Sequence, residues 1–182
     1  MGGLGDSLTV IFSMLIALIL MFVFPVMTMA DRTDDISQTI LETAITEHVD
    51  KVATTGKLSA DDYNKLIETI NSTGNTYNIE MQIQVLDENP GKKTTQADST
   101  KIGENVYYSM YTSQILDAIF PPGGGERTLA LKEGDIYSVS GKNTNVNMAE
   151  LFKNMFYSVS GNGSYSQASE HARVVTANGN GN

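Results

Sequence analysis

The chain has 182 residues, a net charge of −9, and neither cysteine nor tryptophan. An acidic surface repels phosphate backbones, so nucleic acid is not expected as a partner. The lack of cysteine excludes disulfides, thiol catalysis, thiolate metal sites and a lipoprotein-type lipid anchor.

Residues 1–30 form the first division of the chain. No charged residue occurs from Ser7 to Ala30, and Leu8, Ile11, Leu15, Leu18 and Phe22 are among its many large apolar residues. At about −0.3 to −0.6 kcal/mol each for membrane insertion, its thirteen or so apolar side chains together contribute roughly −4 to −8 kcal/mol. A helix needs about 20 residues to cross a hydrocarbon core of about 30 Å. The run therefore predicts a transmembrane helix, with membrane lipid as its partner. A cleavable signal would carry basic residues ahead of the apolar stretch, and none precedes Arg32. Met-Thr-Met-Ala before Asp31 does loosely resemble a small-residue cleavage site, so removal of the segment is the competing expectation. Pro25 lacks the N–H that would reach the Met21 carbonyl, which predicts a kink or local melting over Met21–Pro25. Asp31, Asp34 and Asp35 make the following flank acidic, favouring an extracytoplasmic C-terminal part and a single-pass protein of the cell membrane.

Residues 31–56 read as an amphipathic stalk helix. Ile36, Ile40, Leu41, Ala44, Ile45, Val49 and Val52 keep helical spacing, and Gly56 supplies a C-terminal stop. Joined to the apolar run, this predicts one helix over residues 7–54, about 70 Å long at 1.5 Å per residue.

Residues 57–177 read as the head. Ser59 and Asp62 have capping-box spacing ahead of an apolar stripe at Tyr63, Leu66, Ile67 and Ile70, with Ser72-Thr73-Gly74 closing the helix. Tyr77, Ile79, Met81, Ile83 and Val85 alternate with polar residues, the pattern of a half-buried strand. Residues 87–104 read as a loop, and Tyr107–Phe120 as a helix ended by Pro121-Pro122-Gly123-Gly124-Gly125. Thr128–Lys132 and Asp135–Ser140 read as a hairpin, Asn147–Phe156 as a short helix, and Tyr157–Ser160 with Ser164–Ala177 as a closing hairpin. Residues 178–182 read as a flexible tail. The sum is an α+β fold: a long N-terminal hydrophobic helix, then a small antiparallel sheet with short helices.

Candidate chemistry is sparse. The two histidines, His48 and His171, stand far apart in sequence, and no nucleophile elbow, zinc-protease, P-loop or dinucleotide fingerprint occurs. The paired carboxylates Asp61/Asp62 and Asp87/Glu88 lack calcium-loop spacing. Neither an enzyme nor a cofactor or metal site is expected.

A hydrophobic N-terminal helix running unbroken into an amphipathic stalk and a small α+β head resembles the type IV pilins and pseudopilins. Val52-Ala53-Thr54-Thr55-Gly56-Lys57-Leu58-Ser59, Tyr63, Leu66, Ser72-Thr73-Gly74, the strand from Tyr77 to Val85 and Leu131-Lys132-Glu133-Gly134-Asp135 are similar to Tad (Flp)-type pilus proteins. The resemblance implies a subunit that assembles into a surface filament through its hydrophobic helix, with other pilus subunits or its own copies as partners. It also implies leader cleavage after a glycine, for which Gly5, followed by Asp6, is the candidate. Pilins carry a glutamate at the fifth mature position, where this chain has Val10. A processed subunit beginning at Asp6 and an uncleaved minor component both remain open. The helix that would serve membrane and filament is marked by Leu8, Ile11, Leu15, Leu18, Phe22 and Pro25. The alternative is a single-pass surface protein whose head binds a partner without polymerising.

Overall fold

A computed structural model describes residues 3–87, 107–144 and 168–180. The elements in chain order are α1 (Gly3–Thr55), β1 (Lys57–Ser59), α2 (Ala60–Asn71), β2 (Tyr77–Leu86), β3 (Tyr107–Tyr111), α3 (Thr112–Ile119), β4 (Thr128–Ala130), β5 (Ile136–Asn143) and β6 (Ala168–Val174). The fold is α+β with antiparallel sheets and an apolar N-terminal helix. Contacts divide the chain into two compact units, one containing Met1–Ser37 and the other Gln38–Asn145 with Ser166–Asn182.

In the second unit, α1 supplies a buried stripe at Leu41, Ala44, Ile45, His48, Val49, Val52 and Ala53. These positions recur every three or four residues, the signature of a helix with one face on a core. Gly56 ends the helix at φ +66, its N–H bonding the Val52 carbonyl at 2.8 Å. Only glycine fits there, because a Cβ would lie 2.3 Å from the Ala177 carbonyl oxygen. The capping box at α2 forms as the spacing predicts. The Ser59 hydroxyl accepts from the Asp62 N–H at 3.1 Å, and the Asp62 carboxylate reaches back to the Ser59 N–H at 3.4 Å. Asp62 also pairs with Lys51, tying α2 to α1.

The main sheet has the order β3-β2-β5-β6, antiparallel throughout. β2 turns Met81 and Ile83 inward, where they join Tyr137 and Val139 of β5 and the α1 stripe in one cluster. Gly141 lets α1 approach β5, since a Cβ there would sit 3.0 Å from the Leu41 and Ile45 side chains. The Asp135 carboxylate holds the turn before β5, accepting from the Lys132 N–H at 2.8 Å and the Leu86 N–H at 2.9 Å.

Several expectations need correction. Tyr107–Phe120 is not one helix: Tyr107–Tyr111 is strand β3, and the helix begins only at Thr112. The aromatic-rich Tyr-Tyr-Ser-Met-Tyr has high strand propensity and pairs with the far half of β2. Thr128–Ser140 is not a hairpin, because β4 pairs with β1 in a separate two-stranded sheet and β5 pairs with β2 and β6. α1 continues through Pro25 without a break, so no local melting occurs there. Within the expected tail, Gly179 is buried, its N–H bonded to the Leu131 carbonyl at 2.8 Å. The turn at 89–92, the helix at Asn147–Phe156 and the strand at Tyr157–Ser160 fall outside the described residues.

Candidate functional site: the apolar half of α1

The segment Gly5–Val26 carries 22 residues with a mean hydropathy of 2.7, and none of it is buried. At 1.5 Å per residue it is about 33 Å long, against a hydrocarbon core of about 30 Å. Among the described residues it is the one helix long and apolar enough to cross a membrane.

Its side chains are exposed on every side: Leu8 65%, Ile11 62%, Leu15 52%, Leu18 54% and Phe22 62% on one line, Phe12 68% and Leu20 61% elsewhere. Leu8, Ile11, Leu15, Leu18, Phe22 and Pro25 alternate in steps of three and four. Phe12, Ile16, Ile19, Val23 and Val26 keep the same steps, so no single line of this all-apolar stretch is marked out for packing.

Three hydroxyls in and beside this stretch bond within the helix. Ser7 and Thr9 donate to the Gly3 and Gly5 carbonyls at 2.8 Å, and Thr28 donates to the Phe24 carbonyl at 3.0 Å. A hydroxyl bonded four residues back needs no water, and so costs less in an apolar medium. Gly5 is exposed, and a Cβ there would meet nothing within 4 Å. Asp6 lies in the first turn of α1, where the helix dipole favours a carboxylate.

The second unit holds the titratable groups. His48 is buried, its Nε2 2.9 Å from the Tyr137 Oη, and that hydroxyl donates to the Met81 sulfur at 3.3 Å. Burial lowers the His48 pKa to about 4, against a smaller upward pull from Asp62. His171 and Arg173 of β6 meet Asp50 of α1 at 3.3 and 2.8 Å. The Arg173 guanidinium, with His171, holds the Asp50 carboxyl below its usual range. His48 thus packs in the core against Tyr137, whereas His171 takes a different partner, Asp50, at the surface. Among the described residues no group of three or more His, Cys, Asp or Glu is placed to hold a metal ion. Comparison with protein-family models, curated proteins and solved structures finds no match to this chain.

Proposed function

We propose that the chain is a structural, non-enzymatic subunit of a type IV-like (Tad/Flp) pilus or related secretion filament. In this reading Gly5–Val26 holds the subunit in the cell membrane as a single pass, with the head outside. The same segment later packs against neighbouring subunits in a filament core, where burial contributes about 25 cal/mol per Å² of apolar area.

One observation carries the reading. A helix apolar on all sides over Gly5–Val26 continues as α1 into a half that packs on the head's core.

Cross-linking tests the proposal cleanly, because the native chain has no cysteine. A chain carrying two cysteines on different sides of the helix, Leu15→Cys with Leu20→Cys, oxidised in membranes of the producing cell, gives ladders beyond the dimer if the subunit polymerises through this helix. Monomers and dimers alone would leave a single-pass surface protein and overturn the filament reading.

A further inference from the structure

β2 is covered unevenly on its two sides. β5 pairs with all of Tyr77–Gln84, whereas β3 pairs only with Gln82–Leu86. In an antiparallel ladder, successive residues direct their N–H and C=O groups alternately to either side. Thr112 fixes the phase: its Oγ1 accepts from the Met81 N–H at 2.7 Å and donates to the Met81 carbonyl at 3.2 Å. Met81 therefore faces away from β5, and so does Ile79 two residues earlier. β3 stops at Tyr111 and the chain turns into α3, so the Thr112 hydroxyl stands in for a strand at Met81. Among the described residues, no group stands in at Ile79.

A cavity of about 570 Å³ occupies this place, lined by residues 78–82 of β2 and 111–113 of the β3–α3 corner. Glu170 stands on its far side with Ser138 and Ser140, and neither Lys nor Arg lines it. Glu80 and Glu170 flank Ser140 in register on adjacent strands, on the exposed face of the sheet. Sheets usually guard an open edge with lysine, proline or a covering element; Tyr77–Glu80 contains neither residue.

We propose that the uncovered half-edge of β2 receives an extended, basic peptide segment of another protein as an added strand. The Ile79 N–H and C=O supply its main-chain hydrogen bonds. Ile79 accepts a small apolar side chain on one face, and Glu80 selects Lys or Arg on the other. A basic occupant is the complement of this wall and of a chain with net charge −9. The slot lies in the head and does not depend on how the apolar half of α1 is used.

The test uses the full chain in detergent micelles and a fluorescent peptide alternating valine with lysine. Saturable binding is expected, with slowed exchange of the Ile79 amide. A valine–glutamate peptide, and a valine–lysine peptide N-methylated at alternate amides, should each bind at least about tenfold more weakly. Ile79→Pro should weaken binding by about tenfold or more and leave the β2–β5 ladder intact, because the lost N–H faces the open side. Should that variant fail to fold, Glu80→Lys at an exposed site provides the second reading, shifting preference toward the valine–glutamate peptide. Equal binding by the N-methylated peptide, or no binding at all, would overturn the proposal. So would concentration-dependent protection of the Ile79 amide without peptide, which would assign the slot to a second copy of the chain.

Discussion

Two stretches of α1 are rich in leucine, isoleucine and valine, yet Gly5–Val26 exposes them on every side whereas Leu41–Ala53 buries them along one. The difference lies in what stands between the apolar residues. From Leu41 to Ala53 charged and polar side chains such as Glu42, Glu47 and Lys51 fill the outward positions, so the helix has one face for a core and one for water. In Gly5–Val26 only Asp6 is charged, and no face suits water. Hydrophobicity alone therefore does not say where a helix goes; the periodicity of its polar residues does.

Substitutions should separate the two halves of α1. Ile45 is fully buried in the core cluster, and Ile45→Ala should cost about 2–5 kcal/mol of head stability, read as a lowered melting temperature. Membrane fractionation should not change. Leu18→Arg should do the reverse, opposing insertion by about 2.5–3.5 kcal/mol and leaving the melting of the head unaltered. If both substitutions altered both readouts, the two halves would not be doing separate jobs.

His48 adds a pH dependence confined to the buried half. Its folded pKa, lowered to about 4, lies below the unfolded value, so the unfolded chain binds the extra proton first as pH falls. The stability associated with neutral His48 is present above about pH 6.5, declines below it and is lost as pH passes the folded value. The full difference amounts to about 3 kcal/mol. Denaturant titrations from pH 7 to 4 should show that slope, and His48→Gln should flatten it; an unchanged slope would place the titration elsewhere. The smallest effect belongs to Asp50→Asn. This carboxylate sits at the surface beside Arg173 and His171, and the variant should leave the melting temperature nearly unchanged.

The parts of the fold legible in the sequence are those fixed by neighbours in the chain. Ser59 and Asp62, three residues apart, announce their capping box, Gly56 announces the end of α1, and the alternation from Tyr77 to Val85 announces β2. Tyr107–Tyr111 misleads because Met110, Tyr111, Ile115 and Leu116 also satisfy helical spacing, and only the distant edge of β2 makes the first five a strand. β1 and β4 have three residues each, too few for periodicity, and their pairing joins segments far apart in the chain. His48 and Tyr137 are 89 residues apart, beyond any local signal. The candidate site was legible as an apolar run. The open edge at Ile79 was not legible, since it exists only because β3 ends at Tyr111.

In the proposed reading Gly5–Val26 remains on the protein and resides in lipid. Alkaline carbonate extraction of membranes, followed by intact mass of the recovered protein, tests it directly. The expected result is a pelleted species, released by detergent, whose mass retains this segment. A carbonate-soluble protein beginning near Asp31 would mean that the segment is a discarded signal, and would contradict both anchor and filament.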